Sequence, residues 1–265
     1  MSIFERLPAF VIAGLLAASL VFVLLFSANQ GERARANDQR AAGLGSLETM
    51  ASGLLGLLLA FNFTVAQSRF DARQQLIVSE ADAIGTAFLR CSVLSENDRR
   101  TCRSGLRRYA ELRIIAYEAY ERSGSEGTLR AALAEGSRIQ NELWTVVARD
   151  TRANPTPANA LLMSALNAVI DLDADRRASI RIQVPGAVTA ALVFACLAWA
   201  VLLGYSSGVA RHKSRTAWVV VALLISVVFG VAIDLDRPRS GFVTTAASEQ
   251  SVKAALRAME TPPVD

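Results

Sequence analysis

Residues Gly53–Arg90 read GLLGLLLAFNFTVAQSRFDARQQLIVSEADAIGTAFLR, and this stretch decides the architecture of the chain. Its first part is apolar enough for a bilayer, whereas its second part is charged and amphipathic. Neither a proline nor a turn cluster separates the two parts, so the sequence predicts one continuous helix that leaves the membrane and enters water. Such a helix is typical of a pore lining or a stalk.

Steps of 100° per residue divide this helix into two faces. The inward face mixes apolar side chains with charges: Leu55, Leu58, Asn62, Arg69, Arg73, Glu80, Ile84 and Ala87. Because charges among apolar groups need partners, we expect Arg69, Arg73 and Glu80 to form buried ion pairs with other helices. The opposite face begins with Leu57 and Phe61 and continues as a polar series that water should reach: Thr64, Ser68, Asp71, Gln75, Ser79, Asp82 and Thr86.

The composition is that of a membrane protein. The 265 residues are 52% hydrophobic with a mean hydropathy of +0.31, whereas a soluble domain is roughly 45–50% apolar even with glycine counted. The net charge of +4 comes almost wholly from arginine, since lysine occurs only at Lys213 and Lys253. No basic block is interleaved with aromatic residues, so we expect a lipid bilayer and not a nucleic acid as the partner.

Four apolar runs are long enough to cross a bilayer. The first, Leu7–Ala28, is uncharged over 22 residues. Its alternative is a cleaved signal peptide, but Phe26-Ser27-Ala28 lacks the small residue that a cleavage site needs three positions before the cut. We therefore expect a retained anchor. The other predicted spans are Met50–Ala66, Gly186–Tyr205 and Thr216–Ile233.

The predicted fold class is therefore all-α, with four transmembrane helices and a helical domain between the second and third. The expected parts are a first membrane hairpin (1–67), a helical domain continuous with the second span (68–185), a second hairpin (186–233) and a tail (234–265). Within the helical domain, Ser95 with Asp98 three residues later predicts a helix start, and Thr156 followed by Pro157 predicts another.

Arginine and lysine near the spans favour one orientation by a small margin. Eight arginines belong to the side of the termini and the helical domain, against six basic residues in the two short hairpin loops. Both termini and residues 68–185 are thus expected in the cytoplasm. Cys91 and Cys102 could meet as a disulfide, but a cytoplasmic location predicts that they stay reduced, and Cys196 is interpreted as a buried small hydrophobe.

Residues with the chemistry of catalysis are scarce. The only histidine, His212, lies in a short charged loop, so we expect no catalytic residue, no cofactor and no metal centre. Two groups of carboxylates could instead ligate a cation, namely Asp171/Asp173/Asp175 and Asp234/Asp236. We favour ion pairing for both, with Asp171 and Asp175 beside Arg176 and Arg177, and with Asp234 and Asp236 next to Arg69 or Arg73.

Three segments carry a family resemblance: LAFNFTVAQSRFD at Leu59–Asp71, EADAIGTA at Glu80–Ala87, and DLDRP at Asp234–Pro238. Together they resemble the bacterial bestrophin-like family, a distant relative of the bestrophin anion channels. The resemblance covers nearly the whole chain. It implies four spans with a large helical cytoplasmic part, and a pentamer in the bacterial inner membrane whose second helices line a chloride-conducting pore.

The resemblance also implies roles for residues on the outward face. The apolar neck positions of bestrophins fall here at Gly53, Leu57 and Phe61, ahead of Arg69, so Leu57 and Phe61 are the expected pore constriction. Thr64, Ser68 and Gln75 are then the expected polar pore lining, and small anions and further copies of the chain the expected partners. The other hypothesis is a non-conducting membrane scaffold or partner-binding protein, in which the Leu and Phe stripe is a packing face.

Overall fold

A computed structural model describes residues 8–35, 41–123, 126–181, 184–210, 214–236 and 246–260. Within these ranges the chain forms α-helices and no strand, which confirms the all-α class. The helices are α1 (Ala9–Arg35), α2 (Ala41–Arg90), α3 (Glu96–Ser123), α4 (Glu126–Ala153), α5 (Pro157–Arg181), α6 (Gly186–Ala210), α7 (Arg215–Asp236) and α8 (Ala246–Glu260). A 3-10 turn, Cys91–Val93, connects α2 to α3.

Within the described ranges, four helices are long and apolar enough to cross a membrane. The candidate spans are Ala9–Ala34, Gly45–Val93, Gly186–Ala210 and Thr216–Asp236, and each includes most or all of one predicted span. The second of these consists of most of α2, a single helix of 50 residues, and the 3-10 turn that follows it. The predicted passage from an apolar to an amphipathic stretch without a break is therefore confirmed.

The chain divides into two compact units, and the division falls inside α2. The membrane unit comprises Met1–Phe70 and Gln183–Val243, and the helical unit comprises Asp71–Ile182 and Thr244–Asp265. The predicted tail, 234–265, is thus shared between the two units.

Small residues set the packing of α1 against α6 in the membrane unit. Gly204 and Gly208 are one helical turn apart on α6. A Cβ atom at Gly204 would lie 2.6 Å from the Leu24 carbonyl oxygen, and one at Gly208 would meet the carbonyl oxygen of Ala28. The two backbones can approach this closely only because both positions lack a side chain, as in other tightly packed membrane helices.

The helical unit has its own apolar core, which α2, α3, α4 and α5 build together. Its fully buried members recur at helical spacing and include Ile84, Leu106, Tyr109, Val147 and Leu166. The C-terminal helix α8 adds Val252 and Met259 to the same core. The last helix is therefore an integral part of this unit.

Both predicted helix starts in the helical unit are present. The Thr156 hydroxyl oxygen accepts the Asn159 amide at 3.1 Å, and Pro157 opens α5. Helix α3 begins directly after Ser95. The Ser95 amide, however, donates to Asp150 of α4 at 3.5 Å, whereas the expected partner Asp98 forms an ion pair with Arg149.

The expectation that Cys91 and Cys102 stay reduced is wrong for this structure, in which their sulfur atoms are joined as a disulfide. The physical reason is the 3-10 turn, which brings the end of α2 back beside α3 and places the two Cα atoms 6.0 Å apart. Cys196 is the free cysteine among the described residues, and it is buried in α6.

Candidate functional site

The candidate site is the outward face of α2. Leu57 is 53% exposed and Phe61 is 62% exposed, although both belong to the apolar part of the helix. Leu55 and Leu59, their close neighbours in sequence, are buried against the membrane unit. The helix therefore presents Leu57 and Phe61 away from its own chain.

Polar side chains continue this face along α2. Thr64, Ser68 and Gln75 are all exposed. The Thr64 hydroxyl donates to the Ala60 carbonyl oxygen at 2.9 Å, which satisfies it within its own helix. The Gln75 side chain reaches the Ser79 hydroxyl at 3.5 Å. The exposed face thus changes from apolar to polar in the order that the sequence predicts.

The inward face differs from the prediction at one apolar position. Leu58 is 38% exposed, because the buried stripe of the membrane unit runs through Leu55, Leu59, Ala66 and Phe70 instead. The apolar part of α2 is therefore covered along a narrower strip than the helical wheel suggests, and most of the other apolar side chains around it are exposed.

Arg69 lies at the end of this strip, beside the C-terminus of α7. Its guanidinium is 3.5 Å from the Asp236 carboxylate. The same carboxylate accepts the backbone amide of Val184 at 3.0 Å, just before α6 begins. Asp234, two residues earlier, is buried as well. Arg69 and Asp236 therefore connect α2, the end of α7 and the start of α6.

Arg73 is the first buried cation of the helical unit. Its Nε donates to the carbonyl oxygen of Ser179 on α5 at 3.4 Å, and the residue is only 6% exposed. Since Arg73 lies on the same face as Glu80 two turns later, α2 presents two charged groups to the interior of this unit.

Glu80 is the centre of a buried polar cluster and has no exposed surface. Its carboxylate accepts the Tyr109 hydroxyl at 2.9 Å and the Arg113 guanidinium at 3.1 Å, both from α3. It also accepts a guanidinium nitrogen of Arg176, on α5, at 2.6 Å. A single carboxylate on α2 is thereby bound by donors from two neighbouring helices.

A second carboxylate, Asp173 on α5, extends the cluster. It lies 2.9 Å from the Arg113 guanidinium and accepts the Gln140 amide of α4 at 3.2 Å. It also pairs with Arg177 one turn along α5. Side chains from α2, α3, α4 and α5 therefore meet in one cluster, which we call the Glu80 cluster: Glu80, Tyr109, Arg113, Gln140, Asp173, Arg176 and Arg177.

The electrostatics of the Glu80 cluster favour the charged carboxylate. Burial opposes ionisation of Glu80, but the guanidinium groups of Arg113 and Arg176 outweigh that effect and hold its pKa below the ordinary value of a glutamate. Burial, and then the Glu80 charge, raise the pKa of Tyr109 well above its ordinary value. Tyr109 therefore remains a neutral hydrogen-bond donor.

Three members of this cluster, Tyr109, Arg113 and Gln140, are absent from the predictions made on the sequence. A signal for Arg113 was available, since it continues the apolar series Cys102, Leu106 and Tyr109 along one face of α3. The carboxylate that α5 contributes is Asp173, whereas Asp171 and Asp175, the pair selected from the sequence, are both exposed. The prediction selected the wrong side of α5, since residues two positions apart lie on nearly opposite sides of a helix.

Two hydrogen bonds connect the early part of α2 to α6. The Trp199 indole nitrogen donates to the Ser52 hydroxyl at 2.8 Å, and the Ser206 hydroxyl donates to the Glu48 carboxylate. Ser52 and Glu48 of α2 thus have hydrogen-bond partners on another helix of the membrane unit, as polar groups within a bilayer require.

The described residues hold no group of three or more His, Cys, Asp or Glu side chains arranged to ligate a metal ion. Asp236 lies beside Arg69, so one of the two carboxylates at the end of α7 has a cation of the protein as a neighbour. The geometry offers an exposed helix face and a set of buried ion pairs.

Comparisons with protein families and with solved structures lead to the same group of related proteins. The family model of the bestrophin-like domain matches residues 13–249. No curated protein matches the sequence. Crystal structures of point variants of a bacterial bestrophin homologue from Klebsiella pneumoniae have the same fold.

The agreement with these structures extends over almost the full length of both chains. The first variant aligns with a TM-score of 0.68 at 15% identity, covering 94% of this chain and 99% of the homologue. A second aligns with a TM-score of 0.65 at 14% identity, covering 94% and 97%, and a third with 0.63 at 16%, covering 91% and 98%. Identity this low establishes the fold alone. The family model, which spans most of the sequence, establishes the relationship: the chain belongs to the bestrophin-like family of helical membrane proteins.

Proposed function

We propose that the chain assembles into an oligomeric anion channel whose pore is lined by α2, with chloride as the conducted ion. The observation that carries the proposal is the exposed face of α2. There Leu57 and Phe61 are followed by Thr64, Ser68 and Gln75, while the charged groups Arg73 and Glu80 of the same helix are buried on the other side. Family membership supports the same channel-type function.

Leu57 and Phe61 are one helical turn apart, and in this proposal they form the constriction. A ring of apolar side chains can close a pore by excluding water, so the gate needs no steric plug. Farther along the helix, the Ser68 hydroxyl and the Gln75 amide can donate to water and to a partly dehydrated anion. The Thr64 hydroxyl donates to Ala60, so its oxygen can only accept from water. Arg69, Arg73, Glu80, Asp234 and Asp236 have a structural role in this scheme, which is to hold α2 in place by buried ion pairing.

A pore along one face of a helix requires several copies of that helix around an axis. We therefore propose a homo-oligomer, with the pentamer that the bestrophin resemblance implies. The proposed location is the bacterial inner membrane, with lipid around α1, α6 and α7. Both termini and residues 68–185 are placed in the cytoplasm, as the distribution of basic residues predicts.

The test is chloride flux in liposomes that contain the purified assembly. Replacing both Leu57 and Phe61 by alanine shortens the apolar side chains, eases hydration of the constriction and should raise the flux above that of the unmutated protein. Phe194→Ala is the matched control, since this aromatic residue of α6 is 73% exposed and has no place in the proposed pore. It should leave the flux unchanged.

The competing function is a non-conducting scaffold, in which the exposed face of α2 serves only for packing between copies. It predicts that neither the parent nor the double variant moves chloride above empty liposomes while the assembly stays intact. Flux in the double variant alone means a native pore that is closed under the assay conditions. An equal increase with Phe194→Ala would contradict the assignment of the constriction to Leu57 and Phe61.

A further inference from the structure

The Cys91–Cys102 disulfide lies where α2 meets α3. Cys91 opens the 3-10 turn after α2, and Cys102 is in the second turn of α3. Their Cα atoms are 6.0 Å apart, within the range that a bridge spans without backbone movement. The backbone therefore holds the two sulfur atoms within bonding reach, so that the bond can form and break with little rearrangement.

Both cysteines are buried, but the segment that carries Cys91 is at the surface. Ser92 and Val93, which complete the turn, are exposed, and so is Ser95. Within the turn, the Leu94 amide donates to the Cys91 carbonyl oxygen at 3.2 Å. Local opening of a single short turn is a low-energy event compared with global unfolding, and it would admit a small reagent to Cys91.

We propose that Cys91 and Cys102 form a reversible thiol–disulfide site, which peroxides oxidise and cytoplasmic thiols reduce. The inference rests on the cytoplasmic location of the helical unit given under the proposed function. Disulfides in that compartment are transient and serve catalysis or redox sensing, whereas those of secreted proteins are permanent. The Cys91–Cys102 pair, at the junction between α2 and α3, fits the class of transient disulfides.

The chemistry balances with one peroxide per disulfide. One cysteine thiolate attacks the O–O bond, which yields a sulfenic acid and releases a hydroxide that is protonated to water. The second thiolate then attacks the sulfenic sulfur, which forms the S–S bond and releases a second hydroxide that is likewise protonated to water; the two protons are those that the thiols lost on ionisation. In the reverse direction, two equivalents of a small thiol such as glutathione reduce the bridge by two exchange steps and leave as their own disulfide.

The test is the thiol state of the full-length protein in intact cells, trapped by acid and read as a gel shift with a polymer-linked maleimide. A Cys196→Ala background removes the third cysteine, so that each molecule shows two shifts when the pair is reduced and none when it is oxidised. We expect the reduced form before treatment, mostly the oxidised form after brief exposure to hydrogen peroxide, and recovery after its removal. Cys102→Ser in the same background should show one shift before treatment and recover it after removal of the peroxide.

Two outcomes overturn the proposal. One is a pair that is fully oxidised before any peroxide is added, which describes a permanent structural bridge. The other is a pair that stays reduced at every peroxide dose the cells survive. Replacing Ser125, which lies outside the described residues, by cysteine distinguishes failure of the redox site from failure of the proposed cytoplasmic location. If a membrane-impermeant thiol reagent labels it in intact cells, the cytoplasmic location fails; if it is shielded and the pair is unresponsive, the redox site alone fails.

Discussion

Glu80→Gln is the substitution that should weaken the helical unit most directly. The glutamine keeps the shape of the side chain and one acceptor oxygen, but it removes the negative charge between Arg113 and Arg176. Breaking a buried ion pair by neutralising one partner costs about 3–5 kcal/mol, because a charge is left in the interior. Asp173 remains 2.9 Å from Arg113, so we expect the lower end, about 3 kcal/mol.

The measurement is thermal unfolding of the purified protein in detergent. For a chain of this size, 1 kcal/mol changes the melting temperature by about 2–4 °C, so Glu80→Gln should lower it by about 6–12 °C. Glu135→Gln is the matched control. Glu135 also pairs with two arginines, Arg108 and Arg138, but it does so at the surface, where an ion pair contributes little.

A double variant tests whether the lost charge is the cause. Glu80→Gln combined with Arg176→Met removes a positive charge together with the negative one, so the pair should be less destabilising than the sum of the two single changes. Additive effects, or a melting temperature unchanged by Glu80→Gln, would refute the account of the cluster as a network of mutually dependent charges.

Three further predictions concern acid, helix packing and the disulfide. Folding lowers the pKa of Glu80, so the stability that its charge contributes is present above the ordinary value of 4.5 and is lost as the pH falls through the folded pKa. Glu80→Gln should therefore flatten the acid side of a plot of melting temperature against pH. Gly204→Ala should cost about 1–3 kcal/mol by overpacking α1 against α6, measured as thermal stability, whereas Gly14→Ala, whose added Cβ meets nothing, should not. Reduction of the Cys91–Cys102 bridge, which spans 11 residues, should lower the free energy of unfolding by about 2–3 kcal/mol in denaturant titration, with no effect in Cys102→Ser.

The sequence predicts the helices well because their signals are local. The four apolar runs, the uninterrupted α2 and the cap at Thr156 depend on residues a few positions apart, and the structure contains all of them. The same holds for the burial of Glu80 and Arg73, since both charges lie on the apolar face of one helix. On α2, periodicity is sufficient to locate these two buried charges.

The partners of those charges depend on the phase between helices, which periodicity along one helix does not determine. Asp173 faces the cluster and Asp171 does not, although the two are separated by only two positions on α5. Because the two lie about 200° apart around the helix axis, a rotation of α5 by roughly half a turn would exchange them. The disulfide has a similar origin, because the closeness of Cys91 and Cys102 depends on a three-residue turn whose geometry no periodic pattern encodes.

The outward face of α2 raises a different question, because fractional exposure alone does not separate a pore from a lipid contact. Phe61 on α2 is 62% exposed, Phe194 on α6 73% and Leu224 on α7 61%. The side chains farther along each helix differ, and this difference supports the proposed pore. The exposed face of α6 and α7 stays apolar near these residues, as a lipid-facing helix should. The face that carries Phe61 continues into Thr64, Ser68 and Gln75, so one uninterrupted helix presents first an apolar and then a polar stripe on the same side. The proposed pore requires that continuity, because a dewetting constriction must lead into a hydrated passage. A helix that leaves the bilayer into water shows the same change of polarity, so the chloride flux of the Leu57 and Phe61 double variant is the measurement that separates the two functions.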